Sequence, residues 1–322
     1  MTAETSSPRD PRIASFAIRA VIGVSIIAFL LWRYDLRTVF NLLTHERIGC
    51  FAGAVAIYLA GQALSAWRWR ILAALGGLVA PYREFLGWYF IGMFTNLFIP
   101  GVVGGDAARA FYLGRRSGRL GAAVASVIAD RGTGLIALFW VAAVAAPTMA
   151  ERLPRPILIA VLAAALSAAA FEVAAPFIAR LALSFSANSS NLVTDLAPYL
   201  LRPWELIPAL MISILLQISL AVGQFVIARG LNLAIPISVL LVAVPIANAV
   251  ASVPMTLNGL GLREATYMVI LGAAGIGRAD AVALGLLWFA ATMAGGLVGI
   301  VPMMASRLPS AAAAALRDGQ AC

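Results

Sequence analysis

Apolar runs long enough to cross a bilayer recur along this chain of 322 residues, and they set its class before any motif is considered. A hydrocarbon core about 30 Å thick takes roughly 20 apolar residues in a helix. Apolar segments fall near 13–32, 48–66, 120–146, 156–182, 206–228, 235–253 and 280–304, with two short ones at 85–99 and 263–276. The chain is 62% hydrophobic and 11% charged, with mean hydropathy +0.94. A soluble domain needs about 25% charged residues to cover its surface. The chain therefore reads as an all-α, polytopic membrane helix bundle of about eight spans, with two Pro/Gly-broken or re-entrant segments. Residues 1–12 read as a disordered cytoplasmic N-terminus, 13–304 as the membrane domain, and 305–322 as a low-complexity C-terminal tail.

The formal charge is +9, and all 23 basic residues are Arg. That balance suits anionic lipid headgroups. The charges are scattered between apolar spans rather than clustered on one face, which argues against a nucleic-acid partner. Cys50 and Cys322 are isolated thiols with no CxxC spacing. Arg9 and Arg12 precede the first apolar run as in a signal peptide. No small-residue cleavage site follows, so this run reads as an uncleaved first span. Arg asymmetry between loops sets orientation. If 85–99 dips in and returns, fourteen loop arginines lie inside and seven outside (Arg33, Arg37, Arg47, Arg152, Arg155, Arg229 and Arg278). This places both termini and both broken segments on the cytoplasmic side. Trp67, Trp69, Trp88 and Tyr89 are then expected near the membrane boundary, where amphipathic rings settle. The stretch "WRWR", 67–70, reads either as a helix end with snorkelling Arg or, through Arg68, as a headgroup contact.

Two segments interrupt the apolar pattern with one grammar. In "FIPGVVGGDAARAFYL" Pro100 is followed by Gly104, Gly105, Asp106 and Arg109; in "SVPMTLNGLGLREATYMV" Pro254 is followed by Asn258, Gly259, Gly261, Arg263 and Glu264. Each proline precedes its arginine by nine positions, and the prolines are 154 positions apart. The match indicates an internal duplication, and paired Pro/Gly-broken segments in two halves are a pointer to a transport site. In lipid every backbone N–H and C=O needs a partner, so a break is tolerated only where protein or a water-filled cavity receives the freed groups. A helix that restarts there exposes its first N–H groups, the positive end of its dipole, and can hold an anion. Arg109 and Arg263 stand within the first turn after each break, placed to add charge-assisted bonds to a phosphate. Asp106 reads either as an N-cap, as a partner holding Arg109 at i, i+3, or as a proton carrier. Gly104 and Gly105 alone make a turn.

Asp130 and Arg131 lie about ten residues into a span, where charge is costly and marks function. Adjacent helix positions point about 100° apart, so each needs its own partner. Glu172 reads as a helix-packing hydrogen bond, with Pro176 as a kink. His45 reads as a solvated loop residue beside Glu46 and Arg47. HExxH, GxSxG, Walker A and Cys/His metal patterns do not occur, so the chain reads as non-enzymatic, with no cofactor and no metal.

The segments "NLFIPGVVGGDAARAFYL", "AVASVIADRGTGLIAL", "SVPMTLNGLGLREATYMVILG" and "ALSAWRWRIL" resemble the flippase-like membrane domain of lysylphosphatidylglycerol synthases, which also occurs alone. The resemblance covers 13–304. It implies a multi-pass protein of the bacterial cytoplasmic (inner) membrane that binds or translocates lipid. In the full synthases a cytoplasmic domain transfers lysine to phosphatidylglycerol. This chain runs 18 residues past its last span, so that domain and its activity are not expected. Three functions follow for comparison. The favoured one is a flippase-like protein for an anionic phospholipid or lipid phosphate. Its site comprises Arg109, Arg263, Asp106, Glu264, Asp130, Arg131, Asn258, Arg68 and the glycines 104, 105, 259 and 261. The second is a non-transporting subunit that presents lipid to a glycosyl- or aminoacyltransferase on another chain. The third, an intramembrane lipid-modifying enzyme, has no legible nucleophile–base pair.

Overall fold

The computed structural model describes residues 45–97, 103–185, 191–252 and 262–305. The expected first span, Pro100, Pro254, Asn258, Gly259, Gly261 and the C-terminal tail lie outside these residues. Within them every regular element is a helix and no strand occurs.

Five stretches among the described residues are long and apolar enough to cross a membrane. The first lies in α1 (His45–Leu75), so His45 is part of a helix instead of a loop. The second is α4 (Leu120–Ala145) with a short 3₁₀ turn, and the third is α5 (Arg155–Phe185), through which Pro176 passes without ending the helix. After the short helix α6 (Asn191–Leu201), a 3₁₀ turn leads into the fourth, α7 (Ile207–Gly230). The fifth is α10 (Arg278–Leu297), extended by α11 (Ile300–Ala305).

Between these long helices sit two pairs of short ones. The first pair is α2 (Tyr82–Asn96) and α3 (Val103–Ser117), each of 15 residues. The second is α8 (Ile237–Ala251) and α9 (Leu262–Ala273), of 15 and 12 residues. At 1.5 Å per residue such arms reach only about 18–22 Å, short of the core thickness. The expectation that 235–253 and 263–276 each form a span is thus refined: both arms of the second break are short, as at the first.

The first pair is an antiparallel hairpin. At its open end Arg116 Nε donates to Glu84 Oε2 at 3.1 Å. At its tip the Gly105 N–H donates to Asn96 Oδ1 at 2.6 Å. Between these points the two backbones touch: a Cβ on Gly92 would lie 2.9 Å from the Gly105 carbonyl oxygen. In lipid no hydrophobic force draws helices together, and small residues that admit close backbone packing take its place. Gly104 and Gly105 sit inside the first turn of α3 instead of in a loop turn, and Gly105 is part of this contact. Turns occur elsewhere, at Gly77 (φ 75°) and Gly118 (φ 70°), where left-handed glycines end α1 and α3.

The long helices close around the hairpins. Helix α1 packs along α7, and α4 packs on α3, α7 and α8. The largest buried cluster joins α7–α10 through Leu240, Val244, Tyr267, Leu284 and Trp288. A second cluster fixes the first hairpin to α1 and α4 through Trp69, Phe85, Leu113 and Ala123.

Candidate functional site

Charged side chains from three elements meet inside the first half. Arg68 on α1 donates from Nε to Asp130 Oδ1 at 2.8 Å and from Nη1 to Ser213 Oγ at 2.7 Å. Arg109 on α3 donates from Nη1 to the second oxygen of Asp130 at 2.9 Å and from Nη2 to Asp106 Oδ1 at 2.6 Å. Arg131 on α4 completes the chain with two bonds to Asp106, at 2.7 and 2.9 Å. Asp130 and Arg131 thus point to different partners, as their adjacency on a helix requires. Three guanidiniums on two carboxylates leave this network one positive charge in excess.

The pairing follows from the cost of burying charge. Arg68, Arg109 and Asp130 are all more than nine-tenths buried. An isolated ion there would cost several kcal/mol, which only close, well-directed counter-charges offset. Arg109 gains a further cushion from π faces, its Cζ lying 4.7 Å from the Tyr89 ring centroid and 5.1 Å from that of Trp69.

This geometry revises the reading of "WRWR". Trp67 is exposed, with Arg70 over its ring at 5.0 Å, as an interface anchor would be. Trp69 is fully buried, donating to Ser126 Oγ at 3.1 Å, and the Tyr89 ring lies against the Arg109 guanidinium. Arg68 does not snorkel, because Asp130 and Ser213 hold it inward. At about 100° per residue the adjacent Arg68 and Trp69 both fall on the inward side, while Trp67 and Arg70, three positions apart, share the outer one.

The network borders a cavity of about 400 Å³, lined by polar and apolar side chains, that also receives Arg263 from α9. An adjoining pocket of about 200 Å³ is lined by Asp106, Arg109 and Asn96 and shares Tyr58, Gln62, Tyr89, Arg131 and Thr292 with it. The helices after the two sequence breaks therefore bring Arg109 and Arg263 to adjoining pockets that share these five lining residues. Their circumstances differ. Arg263 is 7% exposed, and its Nε and Nη1 have no hydrogen-bond partner among the described residues. Its neighbour Glu264 is also buried but turns toward α10, packed so closely that a Cβ on Gly285 would lie 3.2 Å from its Cγ.

Sequence reasoning missed the neutral polar lining. Ser213, Gln217 and Gln224 occupy α7, within an otherwise apolar run. Their spacing of four and seven puts them on one face, and buried amides inside a span were the available signal. Gln224 accepts from the Tyr267 hydroxyl at 2.5 Å in the core. Gln217 lines the cavity.

The second hairpin separates this cavity from an apolar groove of about 640 Å³ between α4, α5, α8 and α9. On α8, Asn248, Ala251 and Ser252 face the cavity while Ile246, Ala249 and Val250 face the groove. On α9, Arg263 faces the cavity while Leu262, Ala265 and Val269 face the groove. Glu172 lies apart from all of this. It borders another apolar groove with Trp140, Thr148 and Ser238, and makes no helix-packing hydrogen bond among the described residues.

Long apolar helices, paired short ones and a charged interior cavity define a polytopic membrane protein organised around broken helices. The chain belongs to the family of the lysylphosphatidylglycerol synthase TM region, whose model matches residues 16–299. It is also similar to a UPF0104 membrane protein of Pyrococcus horikoshii, at 27% identity over 114 residues. That match spans 34% of this chain and 34% of the relative. No solved structure matches the chain.

Proposed function

We propose that this chain is a flippase-type membrane protein that binds an anionic phospholipid or lipid phosphate by its headgroup and moves it across the bilayer. The observation that carries this reading is that the two post-break helices line two adjoining pockets, in one of which Arg263 presents buried donors with no acceptor among the described residues. A buried guanidinium in that state calls for an anion, and phosphate matches its fork of donors. The polar and apolar faces of the second hairpin give an amphipathic ligand a place for its headgroup and, beside it, one for its tails.

Topology supports movement as well as binding. With 13–32 as the first span, the first half contains three crossings and one hairpin: 13–32, α1, α2–α3 and α4. The second half repeats that order with α5, α7, α8–α9 and α10–α11. Three crossings are an odd number, so the second half runs inverted and the hairpins enter from opposite faces. In this proposal the breaks enter from opposite faces, whereas the Arg asymmetry alone puts both on the cytoplasmic side. The inverted arrangement keeps both termini on one side, and it is the plan of secondary transporters, in which broken helices meet at the midplane. In this scheme Arg263 contacts phosphate. Asp106 and Asp130 hold Arg109 and Arg68 as the cavity wall, and Arg131 stands at its wetter edge.

The test is translocation of NBD-labelled phosphatidic acid in proteoliposomes. The expected result is protein-dependent flipping that Arg263→Ala abolishes. Binding by the wild type with no flipping would instead favour a subunit that presents lipid to a separate enzyme. Equal flipping by wild type and Arg263→Ala would remove the site from the account.

A further inference from the structure

The cavity beside Arg263 holds a second unmet requirement, of opposite polarity. Gln217 is nine-tenths buried on α7, and its Oε1 has no hydrogen-bond partner among the described residues. It lines the same 400 Å³ cavity as Arg263. A buried acceptor left unmet costs about 1–3 kcal/mol, so a ligand that supplies a donor there gains over one that does not. Arg263 asks for an anion, and Gln217 asks for a donor.

The remaining lining narrows what kind of donor fits. Both oxygens of Asp130 already accept from guanidiniums, as do both oxygens of Asp106 in the adjoining pocket. An ammonium headgroup therefore meets no carboxylate oxygen in this space that is not already engaged by an arginine. Apart from Arg68 and Arg131, which those carboxylates hold, the other polar groups are neutral: Tyr58, Gln62, Ser65, Tyr89, Asn248, Ser252 and Thr292. Such a set suits hydroxyl groups, which both donate and accept. It does so whichever way the Gln217 amide is turned, since a hydroxyl satisfies either end of it.

We infer that Gln217 is a specificity-determining residue and that the headgroup taken by this cavity is a phosphate ester bearing a neutral polyol, such as glycerol, inositol or a sugar. The inference rests on the reading of Arg263 as an anion site. Phosphatidic acid has the phosphate but no polyol. Phosphatidylethanolamine has an amine in its place. Phosphatidylcholine has neither a donor nor a net charge.

The experiment measures occupancy by native mass spectrometry of the full chain in detergent, titrated with dioleoyl lipids that differ only in headgroup. Phosphatidylglycerol and phosphatidylinositol are expected to bind about tenfold more tightly than phosphatidic acid, the worth of one satisfied buried group. Phosphatidylethanolamine and phosphatidylcholine are expected to bind more weakly still. Gln217→Leu should erase the polyol advantage while leaving phosphatidic acid binding unchanged, and Arg263→Ala should lower binding of every anionic lipid. Equal wild-type affinity for phosphatidic acid and phosphatidylglycerol overturns the inference, and that ranking needs no variant to fold. A Gln217→Leu protein that loses both lipids equally also overturns it. If Arg263→Ala leaves phosphatidic acid binding intact, the anion site itself fails, which is a separate result. Soluble glycerol 3-phosphate serves as a competitor lacking tails. Competition at the concentration of the lipid would uphold the polyol-phosphate chemistry and overturn the lipid source.

Discussion

The hairpin α2–α3 delivers Arg109 onto two carboxylates and two aromatic rings, whereas the hairpin α8–α9 delivers Arg263 with two of its nitrogens unmet among the described residues. The local grammar of the two breaks is the same, with nine positions from proline to arginine in each. Their surroundings differ. Advancing Asp106 and Asp130 by the 154-residue repeat lands on Leu260 and Leu284. Leu284 is fully buried in the apolar cluster of α7–α10. The same local pattern thus carries an ion-paired arginine in one half and, in the other, an arginine with two nitrogens unmet among the described residues. Backbone geometry sets where a charge sits, and its neighbours decide whether that charge holds the fold together or waits for a ligand.

This contrast is broken most forcefully at Asp130. Asp130→Ala takes the carboxylate from Arg68 and leaves Arg109 with Asp106 alone, and removing one partner of a buried ion pair costs about 3–5 kcal/mol. Loss of folded protein in detergent, or a large fall in its melting temperature, is the expected result. Next comes the backbone contact at the first hairpin. Gly105→Val places new atoms against Gly92 and Asn96, and overpacking of this kind costs about 1–3 kcal/mol. Thermal unfolding should report it, and Gly132→Ala, whose added methyl meets nothing within 4 Å, is the matched control. Arg131→Ala, at a half-exposed pair with Asp106, should change stability by no more than about 1 kcal/mol, read by the same melt.

Much of the fold was legible because its signals are local. Apolar length gave the long helices, and the repeated Pro/Gly grammar gave the two breaks. Asp130 and Arg131 stood out because charge inside a span has few tolerable explanations. The partners were not legible. Nothing in the sequence ties Arg68 to Asp130, 62 positions away, or to Ser213, 145 positions away. Those contacts depend on how α1, α4 and α7 pack. The hairpin nature of α8–α9 was obscured because 235–253 alone has the composition of a span. Its helix stops at Ala251 after 15 residues, too few to cross. Trp69 illustrates a further limit, since an amphipathic ring beside arginines is described equally well as an anchor in lipid or as a buried platform for a cation.

The central claim is that the two arginines of the repeat have diverged, one to structure and one to ligand. Its most direct test is native mass spectrometry paired with thermal unfolding of gently purified Arg109→Ala and Arg263→Ala. The account predicts that Arg263→Ala melts within about 1 kcal/mol of the wild type, because no buried ion pair among the described residues is broken, and yet loses its co-purifying anionic lipid. Arg109→Ala should lose about 3 kcal/mol or more, because Asp130 is left with a single counter-charge. An Arg263→Ala protein that keeps its anionic lipid, or melts as early as Arg109→Ala, would contradict it.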